Sequence, residues 1–374
     1  MSFVEKKIVV IIVTFNGAKW LKKCFQSLEA STYKVTTIVV DNNSTDNSVE
    51  IIQSFPEIQL IQSAKNLGFG KANNIGIQKA LELGTDYVFL LNQDTWVFPE
   101  TISNLVEVAE SNKQFGIISP IHYSGDEVHL DANFETYWKR KTSSIIENVD
   151  EVPFVNAAAW FISSSAIEKV GYFEPLFQHY GEDRNYTDRM LFHQYKTVVV
   201  KNAKICHDRI ITRNFKKDCT QAKFRILAEV LNPNNNLIIS YLKGFKSVLG
   251  LPKYFLKFYS FSKVFQMFLQ LLGYYTLLKF HFLTQIALPT RAVLLSKFPV
   301  FDFDYHGTAK SPLLLFCFSY FKFLNINIQG FALKDPRLYL FLSPELATVR
   351  LFLNHRYIPF LQNEHSIQRL KHQT

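Results

Sequence analysis

Four apolar runs decide what this chain can become. Residues 7–14, 35–40, 58–62 and 87–91 are too short and too uniformly apolar for surface helices, and read as strands buried on both faces. Helical spacing fills the gaps between them. Trp20, Leu21, Cys24, Phe25 and Leu28 recur on one face of a helix reaching about residue 31, and another helix spans about 71–83. A shorter helix, capped by Asn47 with Glu50 and stopping before Pro56, is expected between the second and third strands. Strands and helices that alternate in this way require an α/β fold, a mostly parallel sheet with helices on both faces.

The runs share a second property: they end on polar residues. Thr14 and Asn16 follow the first, Asp41 the second, and Asn92-Gln93-Asp94 the fourth, YVFLLNQDT. In open α/β sheets, ligands gather at the carboxyl ends of the strands. A single Asp there has a local explanation, because Asn and Asp favour turns. Several along one edge point to a ligand. Downstream, helices are expected at 99–111, 164–170 and 182–191, with strands at 116–119, 154–162 and 197–201. The stretch 123–152 lacks periodicity and reads as a long loop or small hairpin. Glu182 and Asp183 fall in the first turn of their helix, where the dipole favours negative charge. His207-Asp208 follows the last strand.

The four cysteines lie far apart with no CxxC pair, which argues against structural zinc or a disulfide framework and fits a reducing compartment. The opening MSFVEKKIVVIIV has too short an apolar run and no small-residue cleavage site for a signal peptide, so a cytoplasmic location is expected. A dinucleotide-dependent oxidoreductase would carry GxGxxG after the first strand; this chain has FNGAKW there.

Taken together and in order, VTFNGAKWLKKCFQSL, VDNNSTDNS, NLGFGKANNIGI, LLNQDT and GYFEPLFQHYGEDRNYTDRM resemble the family 2 glycosyltransferases, and within them the bacterial rhamnosyltransferase-like branch. The resemblance covers about residues 5–210. It implies the GT-A fold and an inverting, metal-dependent transfer from a nucleotide-sugar donor, with dTDP-rhamnose the first expectation and a UDP-hexose or UDP-galactofuranose the alternative. The implied acceptor is a lipid-linked glycan or oligosaccharide of cell-surface polysaccharide synthesis. Thr14, Phe15, Asn16, Asp41, Asn43, Asn66, Gly68, Phe69, Asn73, Asn92 and Gln93 would line the donor. Asp94 and His207 would hold Mg²⁺ or Mn²⁺, Asp183 would be the general base, and Trp160, Glu182, Asn185 and Arg189 would meet the acceptor. Asn92 and Asn185 stand where the family expects acids. Those two departures keep a second reading open, a non-catalytic sugar-binding protein of the same fold at a membrane surface.

Beyond the expected transferase domain, 1–215, the composition changes. Residues 231–300 contain no Asp or Glu, while lysines recur among Phe, Tyr and Leu, as in YFLKFYSFSKVFQMFLQLLGYYTLLKFHFL. The uncharged run 264–278 is short for a membrane span. The net charge of +9 and 35 phenylalanines therefore suit a segment, 216–300, that lies peripherally in a bilayer interface, or a helical packing domain, better than they suit nucleic acid. Residues 301–374 carry no recognisable motif; packing on the preceding segment or homodimerisation is the expectation there.

Overall fold

The computed structural model describes residues 5–209, 213–285, 338–343, 346–353 and 356–357. The chain divides into two compact units, Met1–Ser296 and Lys297–Thr374.

The first unit opens with β1 (Ile8–Thr14), α1 (Ala18–Glu29), β2 (Thr36–Asp41), α2 (Ser48–Gln53), β3 (Gln59–Gln62), α3 (Phe69–Glu82) and β4 (Tyr87–Asn92). It continues through β5 (Thr95–Val97), α4 (Thr101–Ser111), β6 (Phe115–Ser124), α5 (Ala132–Trp138), β7 (Ser143–Ile146) and β8 (Val149–Glu151). Then come β9 (Ala159–Ser163), α6 (Ser164–Val170), α7 (Glu182–Phe192), β10 (Lys196–His207) and three helices, α8 (Phe215–Val230), α9 (Leu237–Phe255) and α10 (Phe261–Gln285).

One sheet organises the unit, in the order β3-β2-β1-β4-β9-β6-β10-β8-β7, with β5 pairing β10. Strands β3, β2, β1 and β4 are mutually parallel, as are β6 and β10. Antiparallel β9 joins the two sets, so all six run the same way and their carboxyl ends share an edge. Register makes this concrete: Thr14 pairs with Asp41, Asp41 with Gln62, and Val13 with Asn92.

The uniform apolarity of the runs follows from burial on both faces. Ile8, Val10 and Ile12 pack with Leu21, Phe25, Ile102 and Leu105 from α1 and α4. Val9 and Ile11 point the other way, onto Ala72 and Ile77 of α3 and Met190 of α7.

Three expectations change. The stretch 123–152 does contain a hairpin, β7–β8, but also α5, which Asp131 caps by accepting the Phe134 amide at 2.8 Å. Asn47 makes no side-chain cap on α2; Asp46 fills that part, accepting from the Ser48 amide at 3.1 Å. Finally, β9 begins at Ala159 rather than 154, and β10 is far longer than 197–201 because it bends at an irregularity between Val200 and Lys204 and carries on.

Helices α8 to α10 bury their own cluster, including Ile226, Val248, Met267 and Leu271, while Phe224 and Leu227 of α8 pack on Phe177 just before α7. No helix among the described residues is long and apolar enough to cross a membrane. Within the second unit, β11 (Leu338–Ser343), β12 (Leu346–Leu353) and β13 (Arg356–Tyr357) form an antiparallel sheet. The other residues of the expected 301–374 extension, and 286–300, lie outside the described residues.

Candidate active site

The edge formed by the strand ends is knitted by side chains. Thr14 is fully buried, and its hydroxyl donates to Gln93 Oε1 at 2.7 Å, while the Phe15 amide donates to the same oxygen at 2.9 Å. Gly17 leaves room for this pair: a Cβ there would lie 2.3 Å from Gln93 Oε1 and would displace the Gln93 side chain. Asn16, in the left-handed region at φ 51°, accepts the Thr45 amide at 2.8 Å and so binds the loop after β1 to the loop after β2. Asp41 is buried at the end of β2, where its carboxylate accepts from the Ser44 amide. Phe15 and Asn43 stay exposed at the rim.

Asn42, which no motif singles out, draws the next loop in. Its side chain accepts the Leu67 amide at 2.7 Å and donates to Asn66 Oδ1 at 3.0 Å. Gly68 has φ 79°, and a Cβ there would meet the Gln178 carbonyl oxygen at 1.8 Å. The loop before α3 therefore presses on the loop before α7. Phe69 packs edge-on against Phe173 at 6.0 Å. Asn74, also unsuspected, exchanges two 2.9 Å hydrogen bonds with the Phe173 backbone. Asn73, expected at the donor, is buried and donates only within its helix, to the Phe69 carbonyl.

Asp94, in the turn between β4 and β5, and His207, at the end of β10, come together with His207 Nε2 3.4 Å from Asp94 Oδ1. Neighbouring ligands of one ion with bonds of about 2.1 Å lie about 3 Å apart. A carboxylate and an imidazole at this spacing fit Mg²⁺ or Mn²⁺, with oxygens of a bound diphosphate left to complete the set. Among the described residues no cluster of three His, Cys, Asp or Glu side chains forms a fuller cage. Behind the pair stands Asp131, 4.0 Å from His207 Nδ1 and doubly bonded by Arg209 at 2.8 and 2.5 Å. Burial holds His122 well below the usual imidazole range, helped by the nearby His207 and Arg209; it meets Ser119 Oγ at 3.1 Å.

The other wall is the start of α7. Gly181, at φ 86°, lets the chain turn so that Glu182 and Asp183 enter the first turn. Burial pushes Asp183 above the usual carboxylate range, against the pull of hydrogen bonds from the Arg184 amide at 2.7 Å and from Ala157. Burial, then the Asp183 charge, lifts Glu182 to about 7. Glu182 is 5 % exposed and lies against Gly70 of α3, so the base helix abuts the donor loop. Tyr137 on α5 links the two walls: burial raises its hydroxyl, and Asp183 and Asp131 both act on it.

Two residues expected at the acceptor are engaged within the protein itself. Trp160 is fully buried in β9, stacked on Phe173 and tilted against Tyr186, so it forms the floor beneath the site rather than its surface. Arg189 is a tether. It donates to the Val170 carbonyl at 2.8 Å, the Tyr172 carbonyl at 2.7 Å and Asn185 Oδ1 at 3.1 Å. Asn185 is thereby engaged and 3 % exposed.

Comparison with known proteins bears on the family and the fold. Residues 9–171 match the model of glycosyl transferase family 2. The chain is 24 % identical over 231 residues to the N-acetylglucosaminyl-diphospho-decaprenol L-rhamnosyltransferase of Mycobacterium tuberculosis, covering 54 % of this chain and 75 % of that protein. It is 26 % identical over 211 residues to the dTDP-rhamnosyl transferase RfbF of Shigella flexneri, covering 54 % and 69 %. Against glycosyltransferase GlyA of Streptococcus pneumoniae the identity is 24 %, over 63 % of this chain but only 35 % of that protein's length. Among solved structures, S. aureus TarS 1-349 in complex with UDP-GlcNAc superposes with a TM-score of 0.55 at 14 % identity, covering 72 % of this chain and 80 % of that one. The mannosyltransferase PcManGT of Pyrobaculum calidifontis gives 0.50 at 12 %, covering 73 % and 86 %. Residues 9–171 thus constitute a glycosyl transferase family 2 domain, carried on a GT-A fold.

Proposed function

We propose that the protein is an inverting glycosyltransferase that moves a sugar from a nucleoside-diphosphate donor, with dTDP-rhamnose first among candidates, to a hydroxyl of a lipid-linked glycan. One observation carries the reading: the polar ends of β1, β2, β4 and β10 share one sheet edge, and the segment that opens α3 on that edge packs against the segment that opens α7. The two relatives named as rhamnosyl transferases support the choice of donor sugar.

Phe15 offers an exposed ring at the rim for stacking a base, and buried Asp41 a carboxylate that accepts a base N–H. Asp94 and His207 would hold Mg²⁺ or Mn²⁺, which when bound neutralises charge on the leaving diphosphate. Asp183 accepts the proton of the acceptor hydroxyl as its oxygen bonds to the anomeric carbon and the bond to the diphosphate breaks. Attack opposite the leaving group inverts the centre. Burial suits Asp183 to the task, because a carboxylate lifted above its usual range is a stronger base.

A donor screen by nucleotide release, with Mn²⁺ or with EDTA and with lipid-linked acceptors supplied, tests this. Release from dTDP-rhamnose that EDTA abolishes is the expected result. Release only from UDP-hexoses moves the donor assignment, and release from no nucleotide sugar overturns the enzymatic reading.

A further inference from the structure

Helices α9 and α10 each bury one face and leave a second apolar stripe in the open. The stripe is Ile238, Leu242, Phe245 and Leu249 on α9 and Leu256 at its C-cap, with Ile238 73 % and Leu242 60 % exposed. At 100° per residue these five fall within an arc of about 60°. Lys243, Lys246, Lys253 and Lys257, all exposed, fill the adjoining arc of about 80°. On α10, Phe261, Phe265 and Leu269 repeat the pattern, Phe261 at 76 % exposed.

The two stripes share a side. Tyr275, late on α10, packs on Tyr241 and Phe245, early on α9, so the helices run antiparallel. Each stripe lies about 110° onward from its helix's buried face, counted toward the C-terminus. In an antiparallel pair, equal rotations of that kind bring both stripes out on one face.

Charge selects the occupant. Residues 231–300 hold no acid at all, and residues 301–374 carry eight Lys and Arg against five Asp and Glu. Neither a second copy of this face nor the chain's own C-terminal residues offers the negative charge that the lysine band calls for. A bilayer with anionic headgroups does, and apolar stripes edged by lysine are what a helix lying in its interface presents. We propose that this face of α9 and α10 docks the protein, without crossing, on an anionic membrane surface. The docking face is fixed to the catalytic wall: Asn232 and Asn234, between α8 and α9, donate to the Asp188 carboxylate at 3.0 Å and the Asp188 carbonyl at 2.7 Å on α7. A membrane-bound acceptor would then approach a base held at a set height.

Flotation of the full chain with phosphatidylcholine vesicles, with and without phosphatidylglycerol, tests the proposal. Binding to the anionic vesicles that weakens as salt rises is expected. Each lysine near an anionic surface favours binding about fivefold, so changing Lys243, Lys246, Lys253 and Lys257 together to Gln lowers partition several hundredfold. Leu242→Glu with Leu249→Glu lowers it on both vesicle types while thermal melts stay unchanged, since both side chains are exposed. Indifference to phosphatidylglycerol, an unaffected lysine variant, or variants that instead dissociate a dimer in light scattering would overturn it. Turnover of a soluble acceptor by the same variants stays normal, which separates a failure of docking from a failure of the transfer reading.

Discussion

Replacing Glu182 by Gln should make the protein more stable, and by an amount that depends on pH. The side chain is 5 % exposed, its Oε2 has no hydrogen-bond partner among the described residues, and Asp183 lies beside it. Its carboxyl is lifted from 4.5 to about 7, first by burial and then by the Asp183 charge. A group whose folded value is raised binds more protons folded than unfolded, so stability falls as pH rises through that interval. At about 1.4 kcal/mol per pH unit, ionised Glu182 costs the fold about 3 kcal/mol above pH 7 and almost nothing below pH 4.5. Gln keeps the shape and removes the charge. Thermal melts of both proteins at pH 5 and pH 8 should therefore diverge, with the variant ahead by about 6 °C at pH 8 and nearly level at pH 5. In an Asp183→Asn background the gap at pH 8 should shrink, since one cause of the lift is gone. A gap that is independent of pH, or one that widens toward pH 5, would refute the account of Glu182.

Asp183→Asn keeps an acceptor for the Arg184 amide but cannot take a proton, so turnover should fall about 10²- to 10⁴-fold while nucleotide affinity, read by calorimetry, holds. Arg189→Met removes a cation from two backbone carbonyls and Asn185, and should lower stability by about 3 kcal/mol in urea unfolding. Gly68→Ala meets both a left-handed backbone and the Gln178 carbonyl; the loop must move, and titration should show donor affinity about tenfold weaker in a protein that still melts cooperatively.

Much of this was legible because buried parallel strands announce themselves. The runs ending at Thr14, Asp41 and Asn92 are apolar on both faces since helices cover both, and the register then fixes their polar ends on one edge. Asp94, Asp183 and His207 stood out for the same reason, each just beyond or opening an element. What stayed hidden depends on contacts distant in sequence. Asp131 sits in a polar stretch without periodicity, and only the folded chain brings it to His207 and Arg209. Three-residue β5 has no period to detect. Trp160 is placed at the acceptor only by the family resemblance; its register opposite Leu90 puts it in the core layer with Phe173 and Tyr186. Asn42 and Asn74 do their work through backbone groups of other loops, which no local pattern signals.

The same contacts explain how the site tolerates Asn185 where an acid is expected. Its Oδ1 accepts from Arg189 Nε at 3.1 Å, a bond that Asp would also make, so the tether survives either residue. What differs is charge. Burial already raises Asp183, and burial followed by the Asp183 charge raises Glu182, so a third carboxylate there would oppose the ionisation of both. At an effective dielectric near 20 and a separation of roughly 7 Å, the repulsion is about 2 kcal/mol before the Arg189 cation offsets part of it. Asn185→Asp should therefore stay folded and active, with the acidic limb of its kcat/KM profile moved up by about one pH unit. An unmoved limb would mean that residue 185 does not act on the ionisation of Asp183, and that Asn is present for some reason other than relief of crowding around the base.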